Sequence, residues 1–448
     1  MDINSDKLKE IISANGDSFY LLDTMQFEQN FEELLSAMKQ VYPKSQISYS
    51  YKTNYIPRLC KLIDEHGGYA EVVSEMEYRL ALAIGVKPSK IIFNGPYKTF
   101  EVVEELLVNG GLVNIDAQYE LEMIFEIASK NPSKKLRVAL RCNFDIEDGV
   151  LSRFGFDVNS SSFANVIKDI KSVPNLILNG LHCHFATRQL EFFATRAVKM
   201  LALVREYFVV PPAYISLGGG LFGKMEESLA LQFDVPVPTY SDYAKAIASV
   251  FAVEYSNLPF EKQPELFIEP GSAIVGDVMK FVAKVINIKE VRGKAIATVT
   301  GSMYNINPTL NKKNPPLQVI HTNKDIHAPL NANNDDKKCF QASLQDDESD
   351  NLLNTQFQKD DGDSVKFYES LDFGGYTCIE SDYLYRNYNG LLGVGDYVIF
   401  GNVGSYSIVL KPPFILPNFP VIEYRDGKTK LLKKQEVQEN IFETYSFD

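Results

Sequence analysis

Five short segments carry the side chains best suited to chemistry. In SYSYKTN, Lys52 follows an apolar β-type run. An amine there is either a solvated surface charge, because an ammonium is costly to bury unpaired, or a Schiff-base lysine that needs an electron-sink cofactor beside it. In FIEPGS, Glu269 closes another run ahead of the Pro270-Gly271 turn. A carboxylate in that place is a structural ion pair or a counterion for a protonated pyridine nitrogen, the arrangement that makes pyridoxal phosphate a strong electron sink. In LGGGLFG, Gly218, Gly219 and Gly220 form a plain turn or let backbone N–H groups approach an anion; the spacing is not GxGxxG, so a dinucleotide site gains little support. In GLHCHF, His182 and His184 share one face of a strand as core histidines or as a ring packed on an aromatic cofactor. No metal is expected, since His66, His321 and His327 lie in other contexts and no ligand spacing is completed. Cys378 in GGYTCIESD reads alone as a small buried hydrophobe.

These segments need a scaffold. Between about residues 45 and 271, short apolar runs alternate with amphipathic stretches such as FEVVEELLVNGG, whose apolar residues recur every three or four positions. The runs are Ile47–Tyr51, Ala70–Val73, Ile91–Asn94, Leu112–Asp116, Arg137–Asn143, Ile177–Phe185, Tyr214–Gly220 and Leu266–Gly271. Eight β-then-α units predict an α/β chain with a (β/α)8 TIM-type barrel in preference to a doubly wound sheet. A barrel's active site lies at the C-terminal ends of its strands, which collects Lys52, Glu71, Asn94, Asp116, Asn143, His184, the three glycines and Glu269.

After residue 276 the texture changes to Val, Ile and Tyr-rich runs such as KFVAKVINIKEV, KAIATVT and FPVIEYR, read as antiparallel strands of a C-terminal all-β domain. The strand-like DSFYLLD near the start is expected to join it. The expected division is therefore a barrel over 25–276 and a β domain over 1–24 and 277–448, with a polar, non-core insertion at about 308–365.

Composition bounds the partners. The 448 residues carry 45 Lys and Arg against 58 Asp and Glu, a net charge of −13 that disfavours nucleic acid and anionic membranes. No apolar run approaches the ~20 residues of a membrane span, and the start lacks a signal-peptide pattern, so a cytoplasmic protein is expected. Cys60, Cys142, Cys183, Cys339 and Cys378 show no CxxC or pairable spacing and fit reduced thiols.

Taken in order, YSYKTN, EVVS, FNGPYKT, SRFGF, GLHCHF, SLGGG, EPG, CIESD, VGDY and VGSY resemble the fold-type III pyridoxal-phosphate-dependent amino-acid decarboxylases, the diaminopimelate and ornithine decarboxylase group. The resemblance runs from FYLLD at 19–23 to VGSY at 403–406. It implies the alanine racemase-like barrel plus β domain, pyridoxal 5'-phosphate as cofactor, and a homodimer with shared sites. It also implies roles: Lys52 holds the cofactor covalently, His184 stacks on its ring, Gly218 to Gly220 bind its phosphate, Glu269 faces the pyridine nitrogen and Tyr406 reaches the phosphate. Cys378 matches the cysteine lent across the dimer to protonate the α-carbon.

The chain also departs from the family pattern. Ser272 stands where relatives carry the arginine of EPGR, Asn307 in NPTL where the diaminopimelate enzymes offer the arginine of RPxLY, and Ala186-Thr187 where a glycine-serine follows the histidine. CESGD has become CIESD, leaving Glu380 and Asp382, with Asn307, as candidate substrate contacts. The resemblance implies an α-decarboxylase. The lost arginines argue against free diaminopimelate, and Ile379 in place of a family acid weakens a simple ornithine or lysine decarboxylase, so an amino acid conjugated to a larger acid, of siderophore or polyamine type, is favoured. The alternatives are an amino-acid racemase and a catalytically inactive regulatory homologue.

Overall fold

Runs that are apolar at nearly every position leave no face for water and must become strands covered on both sides. The computed structural model, which describes residues 3, 5–309, 313–322 and 365–447, gathers such runs into a closed parallel barrel. The chain enters through a helix at Ser5–Asn15, strand β1 (Phe19–Asp23) and a helix at Thr24–Val41. There follow β2 (Ser45–Ser50), β3 (Tyr69–Val72), β4 (Ile91–Phe93), β5 (Leu112–Ile115) and β6 (Leu136–Asn143). Beyond the two-residue β7 (Phe156–Asp157) come β8 (Leu176–His182), β9 (Tyr214–Ser216) and β10 (Glu265–Ile268). Leaving β7 aside, each strand from β2 to β10 pairs in parallel with the next, and β10 returns to β2 from Leu266↔Ser45 to Ile268↔Ile47. The eight barrel strands overlap the eight runs read from the sequence, five of them starting one or two residues earlier.

Helix Thr24–Val41 shows how the outer layer forms. Phe27, Phe31, Leu34 and Met38 recur at three or four positions and are all buried, giving one apolar stripe. The Asp23 carboxylate caps the start by accepting the Gln26 N–H at 3.0 Å. Pro43 ends the helix by forcing Tyr42 into an extended conformation, φ −134° and ψ 99°. The barrel interior is filled: near the N-terminal ends of the strands the Phe267 ring sits 4.9 Å from both Tyr69 and Tyr214. Small and polar residues take over toward the opposite end.

The remaining strands are β11 (Met279–Val291), β12 (Lys294–Val299), β13 (Leu317–Ile320), β14 (Lys366–Gly374), β15 (Tyr383–Leu392), β16 (Tyr397–Phe400), β17 (Val421–Arg425) and β18 (Lys428–Lys433). Contacts divide the chain into Met1–Val282 with Met303–Leu317 and Phe400–Asp448, and a second unit of Ala283–Ser302 with Gln318–Ile399. The first unit includes β1, which pairs antiparallel with the start of β11 and parallel with β17. In the second unit the later part of β11 pairs with β12, β12 with β14 and β14 with β15. The β strands are therefore not all antiparallel as expected. β12 and β14 run parallel, because a long connection and not a hairpin joins them. Leu317–Ile320 forms a strand inside the span expected to be a polar insertion, while 310–312 and 323–364, with His327 and Cys339, lie outside the described residues. No described helix is long and apolar enough to cross a membrane.

One buried ion pair ties neighbouring barrel units together. Lys98, after β4, donates to both carboxylate oxygens of Glu120 at 2.9 and 2.8 Å and to the Gly95 carbonyl at 2.6 Å. Both side chains are 1% exposed. Glu120→Ala strands the ammonium without its partner and should cost about 3–5 kcal/mol, read as a lower urea midpoint; the paired replacement Lys98→Met with Glu120→Leu should recover most of that loss.

Candidate active site

The polar residues that close the barrel strands meet at one end. Lys52 lies in the tight Tyr51–Thr53 turn that follows β2. Its Nζ stands 2.5 Å from Glu71 Oε2 and 3.3 Å from Ser50 Oγ. Glu71 is fully buried at the end of β3; the Ser50 hydroxyl also donates to it, and Asn94 Nδ2 donates to its other oxygen at 3.0 Å. Asn114 Nδ2 donates in turn to Asn94 Oδ1 and, at 3.2 Å, to the Tyr214 hydroxyl oxygen. A polar relay therefore crosses the barrel from β2 to β9. Burial opposes the charge on Lys52, but the Glu71 and Glu269 carboxylates outweigh it and hold the ammonium's pKa above its usual value.

Glu269, just past β10, has a fully buried carboxylate. Ser216 Oγ donates to its Oε1 at 2.9 Å, and His182 Nε2 lies 3.1 Å from Oε1 and 3.2 Å from Oε2. His182 Nδ1 has no hydrogen-bond partner among the described residues, so the ring engages Glu269 through Nε2 alone. Burial pushes the Glu269 carboxyl up, but the imidazoles and hydrogen bonds around it take it well below the usual carboxylate range. His184 Nδ1 accepts the Gly219 N–H at 3.1 Å and is 3.6 Å from Glu269 Oε2, beyond hydrogen-bond reach. Burial lowers the His184 pKa to about 4, so this ring is neutral near pH 7.

The glycine turn is shaped by close approach. A Cβ on Gly219 would sit 2.3 Å from the Glu269 carbonyl oxygen, and Gly218 has φ +70° with the Cys183 carbonyl 2.4 Å from where a Cβ would be. The N–H groups of Gly220 and Leu221 donate to no described group. Tyr406 is held beside Lys52 by its N–H to the Thr53 carbonyl, 2.8 Å, with the left-handed φ of +66° that few bulky residues adopt. Asn54 Nδ2 fixes the same segment through the Gly404 carbonyl at 2.9 Å.

Other candidates take structural posts. Asn143 donates to the Ser152 and Phe154 carbonyls at 2.8 and 2.7 Å, clamping the SRFGF loop, and Asp116 pairs with Arg141 at 3.1 Å. Asn307 follows the helical turn Met303–Ile306, its N–H on the Met303 carbonyl at 2.7 Å. In the second unit the Cys378 thiol is exposed, as is Glu380. Asp382 is buried and accepts from Ser302 Oγ at 3.0 Å and Thr377 Oγ1 at 2.6 Å, shaping the turn that carries Cys378. Sequence reasoning missed Ser216, the pairing of His182 with Glu269, and the Asn114–Tyr214 end of the relay. The HxH spacing was the one available signal, because it puts both rings on the face that looks toward the last strand.

An amine, a buried ionised carboxylate, a neutral imidazole and open backbone N–H groups at one barrel end form a set suited to a phosphorylated pyridine aldehyde. A profile of the pyridoxal-dependent decarboxylases, covering their pyridoxal binding domain, matches residues 28–276. The chain belongs to this family. Pyridoxal phosphate is the family's cofactor, and the unpartnered Gly220 and Leu221 N–H groups fit its phosphate. The chain is 29% identical over 328 residues to a probable chloroplastic diaminopimelate decarboxylase of Oryza sativa subsp. japonica, covering 70% of this chain and 63% of the rice protein. It is 26% identical to the diaminopimelate decarboxylase of Archaeoglobus fulgidus over 68% of this chain and 72% of that one. Its fold matches a crystal structure of diaminopimelate decarboxylase from M. jannaschii with TM-score 0.79 at 21% identity, covering 98% and 94% of the two chains. The Helicobacter pylori enzyme complexed with L-lysine matches with TM-score 0.75 at 21% identity over 97% and 98%.

Removing the charge of Glu71 takes away one of the two carboxylates that stabilise the Lys52 ammonium. In Glu71→Gln the pH midpoint for acylation of Lys52 in the cofactor-free chain, followed by mass spectrometry, should therefore fall below that of the parent.

Proposed function

We propose that the protein decarboxylates a diamino acid at its α-carbon using pyridoxal phosphate. The observation that carries this reading is the convergence of Lys52, from the first barrel strand, and Glu269, from the last, with both carboxylates of the site acting on one amine. Bound pyridoxal phosphate supplies the electron sink for the pair released when the Cα–carboxylate bond breaks. Lys52 Nζ would hold the cofactor, and its partial exposure would leave it within reach of a substrate amine. Glu71 Oε2 keeps the lysine oriented and takes part in handing over its proton. Glu269, fixed by Ser216 and His182, would face the ring nitrogen and favour a proton there, and neutral His184 would pack against the ring without competing charge. The glycine turn, through its open N–H groups, and Tyr406 would hold the phosphate end.

Substrate choice rests on fewer residues. The relatives named above are diaminopimelate decarboxylases, which supports a free diamino acid; the conjugated substrate expected from the sequence rests on Asn307, Ser272 and Ile379. Cys378 is the proposed proton donor to Cα, reaching the site of a second copy in a homodimer. Its exposed thiol and its turn, built on Asp382, support that role, with Glu380 beside it as a substrate contact.

Carbon dioxide release on meso-diaminopimelate, lysine, ornithine and their acyl conjugates tests the reading; release from conjugates alone moves the substrate to that class, and none from any compound ends it. Borohydride should fix the cofactor on Lys52. Glu269→Gln should keep the cofactor bound yet turn over roughly 10²–10⁴-fold more slowly. Mixing inactive Lys52→Ala and Cys378→Ala chains should restore up to about a quarter of parental activity, since random pairing makes half the dimers mixed with one whole site each. Confirmed exchange without recovery would remove Cys378 from the shared site.

A further inference from the structure

The largest fully buried side chain among the described residues is a cation. Arg196 lies on the inner face of the helix Leu190–Tyr207 with no exposed surface. Among the described residues no carboxylate stands within ion-pair distance of it. Its partners are three backbone carbonyls: Gly219 at 3.2 Å from Nη1, and Phe185 and Thr187 at 3.3 and 2.5 Å from Nη2. Its Nε has no hydrogen-bond partner among the described residues. The guanidinium carbon lies 4.0 Å from the centre of the Phe193 ring, within cation–π range. Burial lowers its pKa to about 10, which still leaves it charged at neutral pH.

A buried charge satisfied only by dipoles is unusual, because carbonyl hydrogen bonds compensate desolvation without neutralising the charge. The three carbonyls are not scattered. They belong to the glycine turn and to the segment directly after His184, the two stretches that border the cofactor site. Gly219 C=O and Gly220 N–H share one trans peptide plane and point in opposite directions. Drawing that carbonyl toward Arg196 therefore turns the Gly220 N–H away from it, and this N–H is one of those without a partner. The same guanidinium, through Thr187, braces the loop where Ala186-Thr187 stands in place of glycine and serine.

We infer that Arg196 is a positioning residue for the cofactor's phosphate: it sets the direction of the Gly220 N–H, and its unneutralised charge favours a dianion at the glycine turn. The inference rests on the pyridoxal phosphate reading of the site. It makes the anion and the arginine mutually dependent although they need not touch.

Pyridoxamine 5'-phosphate and pyridoxamine separate phosphate recognition from covalent capture by Lys52, since neither carries an aldehyde. The full chain, freed of cofactor, is titrated with both by calorimetry, after circular dichroism confirms that each variant keeps the parental fold. Arg196→Met should weaken pyridoxamine 5'-phosphate roughly 10–100-fold, the scale of a charge-assisted contact, and change pyridoxamine less than about threefold. Arg196→Lys keeps the charge but cannot hold three carbonyls, and should lose part of the preference; it decides the matter if the methionine variant does not fold. Equal weakening of both ligands, or an unchanged ratio in the folded variant, would overturn the role of Arg196. A parent chain that binds neither ligand would instead overturn the pyridoxal phosphate reading.

Discussion

Burying the Glu269 carboxylate at the end of the last barrel strand is the constraint on which the site depends. An ionised acid shut away from water is tolerable only where donors surround it, and the barrel provides them from neighbouring strands: Ser216 at the end of β9 and His182 at the end of β8. Those donors fix the conformations beside them. Ser216 Oγ accepts the Gly218 N–H at 3.2 Å while it donates to Glu269, and the Glu269 N–H returns to the Gly218 carbonyl at 3.0 Å. The glycine turn is thus anchored to the acid, and His184 is anchored to the turn. A change at Glu269 disturbs three strand ends at once.

On the other side of the mouth the same logic runs with the opposite charge. Lys52 is about one-third exposed, while its partner Glu71 is wholly enclosed and bonded to Ser50 and Asn94 as well. The amine can leave its partner for another bond, whereas the carboxylate cannot move. That asymmetry suits a lysine that must be released and recaptured on a fixed frame. The relay through Asn94, Asn114 and Tyr214 gives Glu71 a rigid backing across the barrel, so orientation does not depend on solvent.

Arg196 shows a third way to hold charge inside this barrel, neither paired nor neutralised but shared among carbonyls. With Glu269 below the glycine turn and Arg196 behind it, the turn lies between an anion and a cation, and its peptide planes have little freedom to rotate. Charge placement and backbone geometry are one problem here, since each carbonyl fixed on one side of a peptide aims an N–H on the other.

Much of this was legible in the chain. The alternation of apolar runs with amphipathic helices is a local property, so the eight strands and their polar ends could be read directly, and Lys52, Glu71, Asn94, His184, Gly218 to Gly220 and Glu269 do come together. The mixed second sheet was not legible, because whether β12 meets β14 in parallel depends on the path of a long connection and not on either strand's composition. Nor was Arg196: within RAVKML it reads as any helix-surface arginine, and only packing turned it inward. The partners of His182 and Ser216 lie 87 and 53 residues away at Glu269. Residue type and spacing specify which groups are available and which face of an element they share; which charges meet is settled when distant strand ends are brought within about 3 Å, the distance at which hydrogen bonds form.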